Sequence, residues 1–359
     1  MQIAHDRLHR LVAEMCRHGG ATEATAEAVA RELVTANLFG HDSHGIGMMP
    51  AYAAGLQTGK LAPDGHAELL RDQGPFLLFD GGRGFGQVVA AEAMEQGIAR
   101  AREHGLCVVG LRNSYHIGRV GAWGEMCARA GFVSIHYVNA ITSRSLVAPF
   151  GGADARYSTN PYCTAIPATA SNPMLVLDMA TSKIAMGKVR VAHNKGVEVP
   201  PESLIDREGA PTNDPGVMFP DDGGPMGALR SFGLHKGYGL ALICELLAGG
   251  LTGGGVALDE RQEDNLITNN MLTIILDPDL FGEGAFFAGD IDNLHAHVKA
   301  SPTAPGVEEI MVPGDPERKS RAEREANGVP VDEQTWTEML EAADALGMPP
   351  DEVLRIVGN

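Results

Sequence analysis

The segment Gly-His-Asp-Ser-His-Gly-Ile-Gly-Met at positions 40–48 carries the densest cluster of polar side chains in the chain. Two helices are predicted before it. Apolar residues recur at helical spacing from Leu8 to Met15, and Thr22 is a suitable cap for an Ala-rich helix that ends at Gly40. The cluster therefore lies on a turn between a helix and the next element, a place where functional side chains often occur.

The turn admits four interpretations, which the residues alone leave open. His41 and His44 have the spacing of metal ligands, but no further histidine or carboxylate is suitably spaced nearby. Ser43 lacks the Gly-x-Ser-x-Gly context of a nucleophile. Asp and Ser side chains also cap helices without any catalytic role. His44 has a pKa range suited to general acid–base catalysis, and its polar neighbours are suited to fixing its tautomer.

Beyond the turn, short strands and helices alternate unevenly. Strands are predicted at 76–79, 107–111, 133–138, 164–166, 175–177 and 271–276, and helices at 88–102, 120–130, 236–248 and 335–346. Gly249 and Gly250 are expected to end the helix at 236–248. This order is not a regular βαβ series, so the predicted fold class is α+β. We expect a mixed-sheet domain, residues 71–304, packed with a mostly helical domain that residues 1–70 form and residues 305–359 complete.

The charge of the chain restricts its partners. The 359 residues carry a formal net charge of −18, which argues against nucleic acid because phosphate binding needs a basic face. An anionic ligand therefore needs a local basic island. Two islands occur, one of Lys183, Lys188, Arg190 and Lys195 and the other of Arg318, Lys319, Arg321 and Arg324. Glutamates interrupt the second island, which is equally consistent with a solvated helix face.

Cysteine usage and hydropathy indicate the compartment. The five cysteines are scattered and form no Cys-x-x-Cys pair, so we expect buried thiols in a reducing compartment and neither a zinc site nor any other metal. No apolar stretch of about 18 residues predicts a membrane span. The N-terminus lacks the basic-then-apolar order of a secretory signal. We expect a cytoplasmic protein that binds neither membrane nor nucleic acid.

The usual glycine fingerprints of nucleotide-binding proteins are missing. Gly82, Gly84 and Gly86 have the wrong spacing for Gly-x-Gly-x-x-Gly, and the glycines at 253–255 follow a helix instead of a strand. No Gly-x-x-x-x-Gly-Lys-[Ser/Thr] loop occurs. A Rossmann domain is therefore disfavoured, and the fingerprints alone do not predict NAD.

Three further positions are candidates for a site. His116 lies in a polar turn after a predicted buried strand, a common place for site residues. Asp178 ends another strand and is suited either to binding ribose hydroxyls or to capping a helix. His235 and Lys236 open an apolar helix, where the helix dipole already favours anions.

These motifs, taken in order, resemble the type 2 malate/L-lactate dehydrogenase family over nearly the whole chain. The matching segments are 40–48, 80–81, 86–87, 113–114, 116–118, 159–161, 177–182, 236–238 and 313–314. Members reduce 2-oxo acids or cyclic imino acids with NAD(P)H, on a dinucleotide-binding fold unrelated to the Rossmann type. The resemblance therefore implies NAD or NADP as cofactor, a small 2-oxo or 2-hydroxy acid as substrate, and a homodimer with sites near the subunit interface.

The resemblance also implies roles for individual residues. His44 matches the catalytic acid/base of the family, and His116 lies in the substrate pocket and is the proton acceptor in some members. The positions that match cofactor contacts are His44, Gly118, Arg119, Val120, Leu177, Asp178, Met179, Ala180, His235, Lys236, Gly314, Asp315 and Pro316. The candidate substrate contacts are Ser43, Met48, Arg119, Thr159 and Arg190.

One departure from the family bears on the substrate. Many relatives carry Arg at the position of Met48, and a bidentate Arg is suited to holding a substrate carboxylate. Its absence implies another donor, Arg119 or Arg190, and a pocket suited to apolar side chains. This fits the hydroxycarboxylate dehydrogenase branch of the family, which acts on 2-oxoglutarate and aromatic 2-oxo acids such as phenylpyruvate.

The sequence therefore predicts an NAD(P)-dependent oxidoreductase that interconverts 2-hydroxy and 2-oxo acids, whether phenylpyruvate-like or malate- and lactate-like. Two alternatives remain open. One is a cyclic imino-acid reductase of the same family. The other is a metal-dependent hydrolase or lyase that uses His41 and His44.

Overall fold

The computed structural model describes residues 1–220, 223–282 and 284–358. Its helices are α1 His5–His18, α2 Glu23–Leu38, α3 Met49–Gln57, α4 Gly86–His104, α5 Gly121–Arg129, α6 Met186–Lys195, α7 His235–Cys244, α8 Gly284–Lys299, α9 Asp315–Asn327, α10 Glu333–Ala345 and α11 Pro350–Val357. Its strands are β1 Gln2–Ile3, β2 Glu68–Gln73, β3 Phe76–Asp80, β4 Leu106–Ser114, β5 Val133–Ile141, β6 Tyr162–Ile166, β7 Leu175–Met179, β8 Leu204–Ile205, β9 Pro211–Thr212, β10 Ala228–Leu229, β11 Thr268–Leu276 and β12 Val329–Pro330.

A seven-stranded mixed sheet forms the middle of the molecule, in the order β2-β3-β4-β11-β5-β6-β7. Strands β3 and β4 pair in parallel, and the other neighbouring strands of this sheet pair antiparallel. The central strand β11 is buried along most of its length, because strands flank it on both sides and α4 contacts it. The mixed sheet confirms the α-and-β prediction, and the predicted strands all lie in it.

Helices from both ends of the chain pack together beside the sheet. The apolar stripe of α1 is buried, and Thr22 Oγ1 accepts from Thr25 N at the start of α2, as predicted. The terminal helices α10 and α11 complete this core, and β1 pairs with β12. The amino group of Met1 donates to Val331 O over 2.7 Å. The residue boundaries of two separate domains stay a prediction.

A third apolar core packs around α6, and the sequence interpretation did not distinguish it. Its members come from segments that are distant in the chain, among them Val147, Tyr157, Val189, Leu204, Met218, Leu229 and Ala241. The small sheet β10-β8-β9 covers part of it. This core holds α6 against α7 and the small sheet.

The helix predicted at 236–248 differs from the structure at its end. Helix α7 ends at Cys244 and continues as a π-helical turn, Glu245–Leu251, through both glycines that were expected to stop it. The reason is close packing, because a Cβ on Gly249 would lie 2.2 Å from Gly255 O. Gly249 therefore permits a contact between segments instead of ending a helix.

The two basic islands have different surroundings. The second lies on α9, where its cations pair with acids; Arg318, for example, is 2.6 Å from Asp315. The first lies on and before α6, where Lys188 and Lys195 are exposed. The five cysteines are buried and free, as expected. None of the helices in the described ranges is long and apolar enough to cross a membrane.

Candidate active site

Two histidines from different parts of the chain are hydrogen-bonded at the centre of the candidate active site. His44 lies on the short 3-10 turn Asp42–His44, and His116 follows β4. His44 Nδ1 and His116 Nε2 are 3.0 Å apart, and the two ring planes are within 5° of parallel. Because this bond uses Nδ1 of His44, its Nε2 is left for a substrate.

The second ring nitrogen of His116, Nδ1, is hydrogen-bonded to buried side chains of the protein. Tyr52 Oη, from α3, is 2.8 Å from His116 Nδ1. Gln87 Nε2, from α4, donates to Tyr52 Oη over 2.7 Å. Tyr52 and Gln87 are completely buried. We call His44, His116, Tyr52 and Gln87 the histidine chain.

A glycine at the beginning of α4 makes this arrangement possible. A Cβ on Gly86 would lie 2.3 Å from His116 O and 2.4 Å from the Cα of Ile117. Both neighbours are backbone atoms and cannot turn aside, so only glycine lets the first turn of α4 press against the His116 loop. The next residue of α4 is Gln87, which this contact brings to Tyr52.

The turn that carries His44 is held by a buried amide on α2. Asn37 Nδ2 donates to Asp42 Oδ1 over 2.7 Å, and Asn37 Oδ1 accepts from Ile46 N over 2.8 Å. A Cβ on Gly45 would lie 2.2 Å from Asn37 Oδ1. Asp42 therefore braces the turn, and the glycine beside His44 is required by close packing.

The side chain of His41 is not hydrogen-bonded to the ring of His44. Its Nε2 is 3.3 Å from Glu317 Oε1 of α9, so His41 ties the turn to the C-terminal helices. Across residues 1–220, 223–282 and 284–358, no three His, Cys, Asp or Glu side chains are grouped in a way that could hold a metal ion.

The electrostatic surroundings keep the two histidines neutral. Burial is the main cause that lowers the pKa of His44 and of His116, and His44 lowers the pKa of His116 further. The Asp178 carboxylate opposes this effect on the pKa of His44, whereas His41 and Arg119 lower it. The sequence candidates His44, His116, Asp178 and Arg119 are thus near enough to influence one another.

A second buried cluster holds the loop of His116. Asn269 Oδ1, on β11, accepts from Ile117 N over 3.0 Å. Asn269 belongs to a group of buried amides around one carboxylate, which we call the amide network: Asn139, Asn160, Glu245, Asn269 and Asn270.

Each polar side-chain atom of the amide network has a partner. Glu245 Oε1 accepts from Asn160 Nδ2 over 3.0 Å, and Glu245 Oε2 accepts from Asn139 Nδ2 over 2.9 Å. Asn270 Nδ2 donates to Asn139 Oδ1 over 2.9 Å. The network joins the π-helical turn to β5 and β11, and through them to the residue after His116.

The first turn of α5 and the segments that lead into α7 and α9 contact β7 or the residues just after it, where several cofactor candidates are found. Asp178 Oδ2 accepts from Gly121 N, at the first turn of α5, over 2.7 Å. Val176 N donates to Pro313 O over 3.4 Å, just before α9. Thr181 O accepts from Phe232 N over 3.0 Å, three residues before α7 begins. Asp178 therefore caps a helix, but that helix is α5 instead of a following one.

The other cofactor candidates surround this strand end. Gly118 has a positive φ of 73° and lies in the loop before α5, followed by Arg119 and Val120. Leu177 and Met179 lie on β7, and Ala180 follows it. His235 and Lys236 are exposed in the first turn of α7. Gly314, Asp315 and Pro316 form the start of α9.

Two candidate side chains already have partners. Arg119 is buried, with Nη2 2.7 Å from Glu125 Oε1 and its guanidinium 4.5 Å from the centre of the Phe39 ring. The carboxylate of Asp315 accepts from Val312 N and forms ion pairs with Lys299 and Arg318. Asp315 is thus committed to fixing the start of α9.

The substrate candidates are spread around the turn of His44. Ser43 is exposed and lies against α6, since a Cβ on Gly187 would be 3.4 Å from Ser43 Cβ. Met48 packs against the helical core. Thr159 O accepts from Thr181 N over 2.9 Å. Arg190 is exposed on α6, 3.5 Å from Glu338 on α10. Their roles in substrate binding stay predictions.

Tyr52 and Gln87 are the residues that the sequence interpretation did not single out. Gln87 belongs to a motif that carries the family resemblance, but no role was attached to it, and Tyr52 lies in an apolar helix like any core residue. Lys188 was seen only as a member of a basic island. The structure places it next to Gly187, which contacts the turn of His44.

The chain matches the family model for malate/L-lactate dehydrogenase over residues 3–340. It is 45% identical to hydroxycarboxylate dehydrogenase B of Escherichia coli K12 over 346 residues, which is 96% of this chain and 94% of that protein. A solved structure of an E. coli protein assigned to the malate/lactate dehydrogenases superposes with a TM-score of 0.94, at 43% identity and over 99% of this chain and 98% of the other. The Δ1-piperideine-2-carboxylate reductase of Pseudomonas syringae pv. tomato superposes with a TM-score of 0.80, at 28% identity and over 96% and 100% of the two chains.

Proposed function

The chain belongs to the malate/L-lactate dehydrogenase family, and from this premise we propose that it is an NAD(P)-dependent oxidoreductase that interconverts 2-hydroxy and 2-oxo acids. The observation that carries the proposal is the hydrogen-bonded pair of His44 and His116, which leaves His44 Nε2 free beside the strand end that carries Asp178. The similarity to hydroxycarboxylate dehydrogenase B favours 2-oxoglutarate or an aromatic 2-oxo acid as substrate over malate.

The end of β7 is suited to a dinucleotide. The first turn of α5 lies against it, and the segments that lead into α7 and α9 contact β7 or the residues just after it. Backbone N–H groups at helix starts bind phosphate well. Asp178 and the backbone around Gly118 and Gly314 would hold the cofactor. When bound, the reduced nicotinamide supplies the hydride for C2 of the 2-oxo acid.

His44 is the group that exchanges a proton with the substrate oxygen. In reduction its Nε2–H bond breaks and an O–H bond forms on the former carbonyl oxygen; in oxidation an Nε2 that carries no hydrogen accepts that proton. The pair is neutral before substrate binds, because burial lowers the pKa of both histidines. The negative charge of the bound substrate carboxylate favours uptake of the proton that reduction needs.

The carboxylate of the substrate needs a cation near the turn of His44. Arg119 is paired with Glu125, and Arg190 is 3.5 Å from Glu338. Lys188 is exposed, and Gly187 beside it, in the first turn of α6, contacts Ser43. We therefore place Lys188 together with the start of α6 ahead of either arginine as the carboxylate-binding group, since a helix start and a lysine both favour an anion.

Exposed apolar side chains on two helices support a homodimer. They lie on α7 with the π-helical turn that follows it, and on α8: Leu242, Ile243, Leu246, Leu251, Phe286 and Leu294. Apolar surfaces of this kind on soluble proteins are usually covered by a partner. We expect light scattering to give the mass of a dimer, and Phe286→Asp with Leu294→Asp to lower it if α8 is part of the interface.

A cyclic imino-acid reductase is the second candidate, favoured by the structural similarity to the Δ1-piperideine-2-carboxylate reductase. A single assay separates the two. The absorbance of reduced nicotinamide is followed with NADH and with NADPH, against 2-oxoglutarate, phenylpyruvate, oxaloacetate, pyruvate and Δ1-piperideine-2-carboxylate. We expect the highest kcat/KM with a 2-oxo acid. Preference for the cyclic imine would favour the second candidate, and turnover with none of them would reject both.

Variants in the same assay test which residue binds the carboxylate of the substrate. Lys188→Met should raise KM for the best 2-oxo acid by about 10- to 100-fold, the range of a hydrogen bond to a charged group, and leave cofactor KM unchanged. If Arg190→Met raises KM instead, the carboxylate is held by Arg190.

A further inference from the structure

The carboxamide of Gln87 ends the histidine chain, and one of its two polar atoms has no partner. Gln87 Nε2 donates to Tyr52 Oη over 2.7 Å, whereas Gln87 Oε1 is buried and has no donor among the residues that the structure describes. Leaving a buried carbonyl oxygen unpaired costs about 1–3 kcal/mol. Such an atom in a native protein calls for an explanation.

The hydrogens of the neutral chain follow from the Gln87 bond. Tyr52 Oη accepts from Gln87, so its own hydrogen goes to His116 Nδ1. Neutral His116 then carries its hydrogen on Nε2 and donates it to His44 Nδ1. Neutral His44 therefore carries its hydrogen on Nε2, the atom left for the substrate.

A proton added to the histidine pair reverses this order. The four ring nitrogens then carry three hydrogens: one on His44 Nε2, one between the rings and one on His116 Nδ1. The last of these points at Tyr52 Oη, which must turn its own hydrogen elsewhere. The described residues offer Tyr52 Oη only two partners, His116 and Gln87. Only an oxygen of Gln87 in place of its nitrogen can accept that hydrogen.

We propose that Gln87 is a positioning residue whose carboxamide turns with the proton of the histidine pair, presenting Nε2 to Tyr52 when His44 is a neutral donor and Oε1 when the pair is protonated. This rests on the proposed function. When protonated His44 gives its Nε2 hydrogen to the substrate oxygen, the hydrogens left are those between the rings and on His116 Nδ1. Tyr52 therefore faces Gln87 Oε1 both before and after the proton goes to the substrate. A proton from solvent then restores the protonated pair at His44, which is only half-buried.

Other groups act on the same atoms and must stay constant in a test. Asp178, Arg119 and His41 influence His44, and Tyr115 and Cys16 influence Tyr52. A substitution at Gln87 alters none of them. Gln87→Met therefore changes the protonation of the histidines only through Tyr52, whereas Gln87→Glu also adds the field of its charge.

The test compares Gln87→Met, which has no strong acceptor, with Gln87→Glu, whose ionised carboxylate only accepts. Reduction of the best 2-oxo acid is measured against pH. We expect the apparent pKa of the alkaline limb to fall by about one unit or more in Gln87→Met, which is a loss of about tenfold or more in kcat/KM at a pH above both values. It should rise by about one unit or more in Gln87→Glu, and KM for the cofactor should not change.

A matched control and a double variant separate positioning from folding. Gln96 is exposed on the same helix, so Gln96→Met should leave the pH profile unchanged. In Tyr52→Phe the connection between Gln87 and His116 is broken, so adding Gln87→Met should move the apparent pKa no further. Shifts in the same direction for Gln87→Met and Gln87→Glu, or none in either, would overturn the proposal.

A measurement without turnover keeps the inference separate from the proposed function. In protein labelled with 15N-histidine, the nitrogen shifts report which ring atom of His116 carries hydrogen at each pH. We expect Nδ1 of His116 to be protonated in Gln87→Glu at a pH where it is not in Gln87→Met. If the enzyme reduces no acid or imine but these shifts differ as stated, the function fails and the inference stands. Identical shifts overturn the inference even in an active enzyme.

Discussion

The histidine chain and the amide network are both buried and polar, and both reach the loop of His116, but they differ in what their hydrogens can do. The amide network contains one carboxylate whose two oxygens accept only from amide N–H groups, and no side-chain atom in it lacks a partner. The histidine chain consists of groups that both donate and accept, and it leaves Gln87 Oε1 free. A completely satisfied network fixes a shape, whereas an incompletely satisfied one has room to change its proton order.

The comparison predicts that the largest loss of turnover comes from the end of the histidine chain that meets the substrate. His44→Ala should lower kcat by about 10²- to 10⁴-fold, the usual contribution of a general acid or base, and should leave cofactor binding intact. Steady-state kinetics and a cofactor titration by fluorescence measure the two effects.

His41→Ala is the matched control, because His41 lies in the same turn but is bonded to Glu317. We expect its kcat to stay within a few-fold of the unsubstituted enzyme. Equal losses in both variants would mean that the turn matters as a structure and that His44 has no special chemical role.

The centre of the amide network should affect stability more than chemistry. In Glu245→Gln, one carboxylate oxygen becomes an NH2 group that faces an N–H of Asn139, Asn160 or Ala257. A buried donor without an acceptor costs about 1–3 kcal/mol. Urea denaturation followed by circular dichroism should show a lower midpoint for Glu245→Gln, whereas the exposed Glu260→Gln should unfold at the midpoint of the unsubstituted protein. A normal midpoint for Glu245→Gln would show that the network is not rigid.

Asn269 belongs to the amide network but touches the loop of the histidine chain, so it tests whether the two regions are separate. Asn269→Ala removes the acceptor of Ile117 N, next to His116. Asn270→Ala removes the acceptor of Asn113 N, three residues before His116. We expect similar losses of stability in both. Because small misplacements of a reacting group are costly, kcat should fall about 10-fold in Asn269→Ala and less in Asn270→Ala. If Asn269→Ala and Asn270→Ala have equal kcat values, the position of His116 is not controlled by the amide network.

The sequence predicted the parts of the site that lie on polar turns. His44 and His116 stand in such turns and Asp178 and His235 at or near the end of an element, and the structure brings the first three within electrostatic reach of one another. Tyr52 and Gln87 could not be found in this way, because a tyrosine in an apolar helix and a glutamine in an Ala-rich one fit a core as well. Only the tertiary packing, through the contact of Gly86 with His116, makes them partners.

The fold was predictable to the same extent. Strands of the buried sheet were found because they are short apolar runs between turn residues. The edge strand β2 was not, since its exposed residues do not alternate. Helix α8 was not predicted either. It has apolar residues but buries none of them in this chain, so no buried apolar face distinguishes it. The glycines of the π-helical turn were misinterpreted because close approach and helix termination use the same residue.

A third buried histidine, His136 on β5, has the smallest expected effect on turnover and separates titration from catalysis. Its nitrogens are 2.9 Å from Thr273 Oγ1 and 2.9 Å from Ser134 Oγ, and burial lowers its pKa to about 3. Its pKa in the unfolded chain is about 6.5. Between these values the unfolded state binds the extra proton, so the stability that neutral His136 contributes is complete above pH 6.5 and is lost as the pH falls.

His136→Gln should therefore reduce the pH dependence of stability without altering the pH dependence of catalysis. Each buried neutral histidine adds about 0.7 kcal/mol per pH unit to the slope of unfolding free energy at pH 6.5, and this rises toward about 1.4 at lower pH. Urea denaturation at pH 6.5, 6.0 and 5.5 should show a smaller slope in His136→Gln, because Gln keeps polar partners for both hydroxyls and cannot titrate. The alkaline limb of kcat/KM should not move. If it does, His136 communicates with the histidine chain, and the proton order there is not set by Tyr52 and Gln87 alone.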